Sequence, residues 1–157
     1  MTVPWPIRSV VAGAIGTGAM TLAYATERRL RHSHSGPLDY DDSLVPGKIV
    51  ASIMHLGRVT DREENELGLA LRWGYGSAFG IWHGLSRRRI QDPCASLLFG
   101  ATLMSATFSL HAVARTNPAR RWPLDVMATC IGRHVAYVLP LAAVDNVLRA
   151  RAVTRNR

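Results

Sequence analysis

The residues of this sequence that could do chemistry are ionisable side chains inside otherwise apolar segments. Among them, His134, Tyr137 and Asp145 follow the spacing i, i+3 and i+11, which places them on one face of a helix. Leu141, at i+7, completes this stripe. The stripe could line a path for protons or ions, or it could dock against neighbouring helices. Pro140 interrupts it and would free a backbone carbonyl near a kink.

Two polar pairs are predicted from the depth of ionisable groups in neighbouring segments. Arg72 lies about five residues inside an apolar segment, so its long side chain could reach Glu27 at the end of another. His83 and Asp145 match in depth near the opposite end, which predicts a hydrogen bond between imidazole and carboxylate. We therefore expect Arg72 to pair with Glu27 and His83 with Asp145.

All of the deeply placed polar side chains are predicted to form one network. An ionisable group at the centre of a bilayer costs at least roughly 2.5 to 3.5 kcal/mol, so such groups normally face protein or water. A hydrogen-bonded network that orients the helices is favoured over a relay or a catalytic site. Its members are Glu27, Arg72, His83, His111, Arg133, His134, Tyr137 and Asp145.

The sequence contains no motif that specifies an enzyme or a cofactor. It has no nucleophile–base motif, phosphate-binding loop or paired zinc-ligand spacing. The histidines at membrane depth are staggered, which disfavours haem ligation. The acidic turn with Asp39, Asp41 and Asp42 lacks the glycine and closing glutamate of an EF-hand. We expect no cofactor and no metal, and a non-enzymatic protein is favoured while catalysis stays open.

Four apolar segments must position these side chains, at about residues 7–25, 67–85, 94–113 and 124–148. Residues 9–26 and 93–114 contain no Asp, Glu, Lys or Arg. Each of these stretches is long enough to cross roughly 30 Å of hydrocarbon at about 1.5 Å per residue. The second and third connections are short, as antiparallel helix neighbours require.

Small residues in the first segment indicate close helix packing. Ala12 and Gly16 lie four positions apart, as do Gly13 and Thr17, and small side chains at this spacing let helix backbones approach each other in lipid. Glycines of the second segment are predicted to do the same from the other side. They are Gly74, Gly76 and Gly80.

The polar loop at residues 26–66 is the largest portion predicted outside the membrane. Within it, residues 46–56 place apolar side chains at helical spacing, which predicts a short amphipathic helix on the membrane surface. Thr60 and Glu63 form a capping box, so the second helix should begin in water.

The net charge of +8 indicates the kind of partner. Arginines cluster at the ends of apolar segments without interleaved aromatic residues, which favours anionic lipid head groups over nucleic acid. Cys94 and Cys130 are expected at different depths as two unbridged, buried thiols. The basic turn at residues 87–89 and the basic tail slightly favour termini in the cytoplasm. The first segment is expected to be an uncleaved helix, with a signal peptide as the alternative.

Three stretches resemble the helices of a known membrane-protein family. They are VAGAIGTGAMTLAYATERRL, LALRWGYGSAFGIWHGL and IGRHVAYVLPLAAVDNVLR. They are similar to YagU-like small bacterial inner-membrane proteins, a family of unknown function. The resemblance covers about half of the chain, and the long acidic loop departs from it. It implies a multi-pass inner-membrane protein and no particular activity.

These observations predict a single all-α domain, an antiparallel bundle of four transmembrane helices with a surface helix in its first loop. The favoured function is a non-enzymatic accessory subunit or homo-oligomeric bundle in the bacterial inner membrane. Its expected partners are lipids and a second protein or copy, but no nucleic acid. The alternative is a proton- or ion-linked permeation protein that uses the His134, Tyr137 and Asp145 stripe. A third reading is an enzyme acting on a lipid.

Overall fold

The computed structural model describes residues 3–30, 50, 61–113 and 122–154, apart from a few side chains within these ranges. The described ranges contain four helices and no strand. The helices are α1 (Trp5–Leu30), α2 (Asp61–Ser86), α3 (Cys94–Val113) and α4 (Leu124–Thr154). The predicted surface helix at residues 46–56, the residue Thr60 and the acidic turn at residues 39–42 lie outside the described residues.

The four helices coincide with the four predicted apolar segments, and α1, α2 and α4 extend beyond them. α2 begins at Asp61, directly after the predicted cap, and α4 continues through the basic stretch to Thr154. The carbonyl of Pro123 accepts the first hydrogen bond of α4 from Met127 N–H at 3.0 Å. Pro140 lies inside α4 without ending it.

The helices form an antiparallel bundle in which α1 packs against both α2 and α4. Ser9 and Gly13 of α1 lie against Gly84 and Gly80 of α2, so these two helices run in opposite directions. α3 runs back along α4 and contacts α2 much less. The turn between α2 and α3 includes a cis peptide bond before Pro93.

Small residues bring α1 and α2 into backbone contact. A Cβ atom at Gly13 would lie 2.7 Å from the carbonyl oxygen of Ser77, and one at Gly80 would lie 2.8 Å from the Cα atom of Gly13. A Cβ atom at Gly76 would overlap the Thr17 hydroxyl. The predicted close packing is therefore confirmed at Gly76 and Gly80. It is wrong for Gly74, where nothing lies within 4 Å of an added Cβ.

The bundle buries several charged side chains and exposes many large apolar ones. Arg72, Arg133 and Asp145 are buried, whereas Leu22 and Leu139 are 70% and 64% exposed. We call the outward-facing apolar residues of the four helices the outer apolar face. It includes Ile7, Val11, Ile15, Leu22, Leu69, Trp73, Ile81, Trp82, Leu85, Leu97, Leu98, Ile131, Val135, Leu139 and Val147.

Two helices among the described residues are long and apolar enough to cross a membrane. They are Trp5–Glu27 and Leu124–Ala152, of 23 and 29 residues. Cys94–Leu110 is a shorter apolar helix. α2 combines apolar residues with a polar first half.

Candidate functional site

A cluster of three arginines surrounds a carboxylate at the end of the bundle where α1 begins. Asp145 of α4 has no exposed surface. Arg149 Nε donates to its Oδ2 at 2.6 Å, one helical turn away. Arg8 Nε lies 3.6 Å from Oδ1, and Arg87 Nε lies 3.6 Å from Oδ2. We call these four residues the Asp145 cluster. It ties α1, α4 and the turn after α2 together.

The Asp145 cluster continues into the turn between α2 and α3. Arg87 forms a second ion pair with Asp92 and donates to Asn146 Oδ1 at 2.7 Å. Ser96 Oγ donates to Asp92 Oδ1 at 2.7 Å. Burial alone would raise the pKa of Asp92, but hydrogen bonds from Ser96, Asn146 and Arg87 and the charge of Arg87 outweigh it and lower the pKa below its ordinary value.

His83 has a different partner from the one predicted. Its Nε2 lies 3.0 Å from Ser96 Oγ. Because the Ser96 hydroxyl gives its proton to Asp92, the imidazole N–H must donate to the serine oxygen. The arginines already occupy Asp145, and the first turn of α3 brings Ser96 alongside α2. Depth alone correctly placed His83 at this end of the bundle but did not identify its neighbour.

The stripe on α4 is buried throughout but is divided by an apolar layer. His134, Tyr137, Leu141 and Asp145 all face the interior. Leu141 belongs to a cluster with Ala12 and Phe99, and each of these three is at most 1% exposed. This layer lies between the Asp145 cluster and the polar groups around His134.

Two arginines lie over one tyrosine at the other end of the bundle. The guanidinium carbons of Arg72 and Arg133 are each 4.3 Å from the ring centroid of Tyr24. Arg133 Nη1 lies 3.6 Å from Glu27 Oε2, so the structure gives Glu27 a different arginine from the predicted Arg72. Arg133 projects from α4 towards Tyr24 and Glu27 of α1. The side chain of His111, predicted at this level, lies outside what the structure describes.

A cavity of about 330 Å³ lies beside Arg72 and is only partly enclosed. All four helices contribute to its wall, and most of the wall is apolar. The polar side chains in it include Arg72, Thr107, His134 and Tyr137. The larger apolar side chains are Met20, Phe79, Leu103 and Leu110.

The neutral polar groups of the cavity form hydrogen bonds within the protein. His134 Nδ1–H donates to the Cys130 carbonyl at 2.8 Å, because a carbonyl only accepts. His134 Nε2 of the neutral ring then accepts from the Thr107 hydroxyl at 3.0 Å. Tyr137 OH donates to the Gly76 carbonyl at 2.6 Å. These bonds fix the side chains and leave them little capacity for a ligand.

Arg72 is the one permanently charged side chain among the residues that line the cavity. It is 7% exposed, and among the described residues no carboxylate lies within ion-pair distance of its guanidinium. Its one assigned partner is the Tyr24 ring, which compensates a cation only in part. The cavity therefore contains one cation with unused hydrogen-bond donors in a mostly apolar wall.

The remaining predicted chemistry concerns cysteines and metals. Cys130 is buried as predicted, but Cys94 is exposed, and both are free thiols. The prediction of two buried thiols is thus wrong for Cys94, which begins α3 at the bundle end. Within the described part of the chain, no group of His, Cys, Asp and Glu is arranged to hold a metal ion.

Comparisons with protein-family models, with curated proteins and with solved structures find no match to this chain. The resemblance to YagU-like proteins therefore stays a prediction.

The sequence did not identify several residues of the Asp145 cluster, of the adjoining turn and of the group around Tyr24. Arg149 could have been found, because it follows Asp145 by four residues on the same helix face. Arg8 also matches Asp145 in depth. The pairing of Arg87 required the geometry of a turn, for which the sequence offers no periodic signal. The missed residues are Arg8, Tyr24, Arg87, Asp92, Ser96 and Arg149.

Proposed function

We propose that this protein is a multi-pass membrane protein of four spans that acts without catalysis, as an accessory subunit or as a homo-oligomer. The observation that carries the proposal is its reversed polarity, with buried arginines and an outer apolar face. We place it in the bacterial inner membrane, with the start of α1 and the end of α4 on the cytoplasmic side.

The reversed polarity is costly in water and favourable in lipid. Covering one leucine side chain is worth about 1.5 to 3 kcal/mol, and the outer apolar face leaves many uncovered. Acyl chains would cover them. Charged side chains must conversely avoid lipid, and Arg133 and Asp145 both point inward to ionic partners.

α2 and α3 cross together with the two longer apolar helices in this proposal. The backbone contact of α2 with α1 directs Arg72 inward, so α2 can span despite its charge. The Asp92 turn and the residues 87–89 lie at the level of the first residues of α1, which suits a membrane surface.

The arrangement of the buried polar groups supports a structural role over catalysis or permeation. His134 and Tyr137 are held by internal hydrogen bonds. The apolar layer with Phe99 and Leu141 separates His134 from Asp145, where a continuous path would need polar groups or water. A hydrogen-bonded, charge-paired bundle of this kind presents its outer surface, and not a reactive group, to partners.

A pair of leucine substitutions on α4 tests the membrane placement. Lysine at Leu139, in the middle of the outer apolar face, would cost roughly 2.5 to 3.5 kcal/mol in a bilayer. Leu124, the first residue of α4 and 88% exposed, should accept lysine at the interface. Alkaline carbonate extraction of membranes should retain the parent protein and Leu124→Lys, and release or deplete Leu139→Lys. A parent protein in the soluble fraction, or equal behaviour of the two variants, would overturn the proposal.

Co-purification tests the accessory role. The full chain is extracted in a mild detergent, and its mass is measured by light scattering with detergent correction. We expect a stoichiometric partner protein or a homo-oligomer. A monomer without any partner would contradict both forms of the proposal.

A further inference from the structure

We propose that the cavity beside Arg72 binds a single-chain amphiphile with one anionic head, a long-chain carboxylate, with the head at Arg72. The inference deepens the proposed membrane function, because such a ligand would enter from the bilayer. It goes further in assigning a binding site and a ligand class.

The first support is a buried cation without an acidic partner. Arg133, which lies over the same Tyr24 ring, pairs with Glu27, and Arg8, Arg87 and Arg149 share Asp145. Arg72 lines the cavity with no such carboxylate among the described residues. A guanidinium presents a planar fork of N–H donors that matches a carboxylate, and a buried cation gains most from a partner in a low-dielectric site.

The second support is the distribution of polarity along the cavity. Arg72 and Phe79 lie about 10 Å apart along α2, at about 1.5 Å per residue. Leu103 and Leu110 cover a similar length of α3. The charged group is at one end of this length, and apolar side chains continue from it towards the middle of the bundle. This is the polarity of an amphiphile with a small head and an extended chain.

The third support limits the ligand to one head and one chain. The cavity of about 330 Å³ is at the low end of the size of small-molecule sites, about 300 to 1,000 Å³, so it suits one acyl chain better than two. His134 and Tyr137 use their donors on protein acceptors. A second polar group at the inner end of the ligand would therefore lack a partner.

The route of entry lies between α2 and α3. α3 contacts α2 where Ser96 meets His83. Its other end packs on Trp122, just before α4, with the ring centroids of Phe108 and Trp122 6.0 Å apart. Over its whole length α3 contacts α2 less than it contacts α4. The open side of the cavity in this region would face acyl chains.

Photo-crosslinking in nanodiscs of zwitterionic lipid tests the inference. The full chain is incubated with hexadecanoic acid that carries a diazirine in the middle of its chain, and crosslinked residues are mapped by mass spectrometry. We expect labels on the cavity wall, at Phe79, Leu103 or Leu110. Excess unlabelled hexadecanoic acid should remove the labels, whereas hexadecanol should not. Labels confined to the outer apolar face, or equal competition by the alcohol, would overturn the inference.

Matched arginine variants assign the head group. Arg72→Gln should reduce cavity labelling about tenfold or more, because a charged hydrogen-bond partner is lost. Arg151→Gln removes an exposed arginine outside the cavity wall and should leave the labelling unchanged. Arg72→Lys keeps the positive charge and should retain part of the labelling. It provides the comparison if the glutamine variant does not fold. Equal labelling of Arg72→Gln and Arg151→Gln would contradict the assignment.

Two further measurements distinguish a carboxylate site from a general anion site, and the binding site from the membrane proposal. Hexadecyl phosphate as competitor distinguishes a carboxylate site from a general anion site, and a phosphate that competes much better than the acid would overturn the carboxylate. Repeating the labelling in detergent separates the site from the membrane proposal. If carbonate removes the protein from membranes but the cavity is still labelled in detergent, the four-span proposal is refuted and the binding site is retained.

Discussion

Asp145 shows at the scale of one residue how the bundle holds charge in its interior. It has no exposed surface and contacts three arginines from different parts of the chain. A carboxylate in such a position determines which arginines can be buried near it. Removing it would leave Arg8 and Arg149 without this carboxylate and Arg87 with Asp92 alone.

Asp145→Asn is therefore predicted to destabilise the protein strongly. Loss of one partner from a buried ion pair costs about 3 to 5 kcal/mol. The free energy of unfolding in mixed micelles should fall by an amount in this range, measured by denaturant titration. Arg151→Gln, at an exposed position on the same helix, is the control and should have an effect within about 0.5 kcal/mol. Equal stabilities of the two variants would show that the cluster contributes nothing.

Asp92 makes a pH-dependent contribution that can be measured separately. Its pKa is lowered in the folded protein, so it stabilises the fold fully above its ordinary pKa, about 4. That stabilisation should disappear as the pH falls from about 4 through the lower pKa of the folded state. Asp92→Asn should make the unfolding free energy less steep in this acid range and leave the slope near pH 7 unchanged. An unchanged acid slope would contradict the role of Asp92.

The contact between α1 and α2 depends, at the scale of the element, on glycines at specific positions. Gly80 lies against the backbone of α1, whereas Gly74, six residues earlier on the same helix, faces open space. Both are glycines in a helix interior, where alanine has the higher intrinsic propensity. The difference between them is therefore a test of packing alone.

Gly80→Ala is predicted to destabilise the bundle, because its Cβ would overlap backbone atoms of Ser9 and Gly13 that cannot move independently. Overpacking of this kind costs typically about 1 to 3 kcal/mol. Gly74→Ala should instead be neutral or gain up to about 1 kcal/mol. Thermal unfolding in the same detergent provides the comparison. Equal shifts for both alanines would rule out the close approach as a stabilising contact.

The position of Cys94 allows the orientation of the whole molecule to be measured. This exposed thiol begins α3 at the same end as the start of α1, while Cys130 is buried. With that end in the cytoplasm, a membrane-impermeant maleimide should label Cys94 in inverted vesicles and not in intact spheroplasts. A Cys94→Ser, Pro123→Cys double variant carries its thiol at the opposite end and should show the reverse pattern. Labelling of Cys94 from outside would reverse the proposed orientation.

Much of the fold was predictable because it depends on local sequence pattern. The long charge-free runs correspond to α1 and α3, and the short connections imply antiparallel neighbours. The spacing of the small residues Gly13 and Thr17 predicted a close helix contact, which the structure has with α2. Depth was also predictable, since each residue advances a helix by about 1.5 Å, and it correctly grouped His83 with Asp145 at one end.

The partners of the buried charges were decided only by the tertiary structure. Arg72 and Arg133 lie at the same ring of Tyr24, yet Glu27 pairs with Arg133, and Arg72 is left facing a cavity. Spacing along one helix gives the height of a side chain but not the rotation of that helix towards its neighbours. The sequence thus determined where polar groups lie along the bundle, and packing determined which of them meet and which one remains available for a ligand.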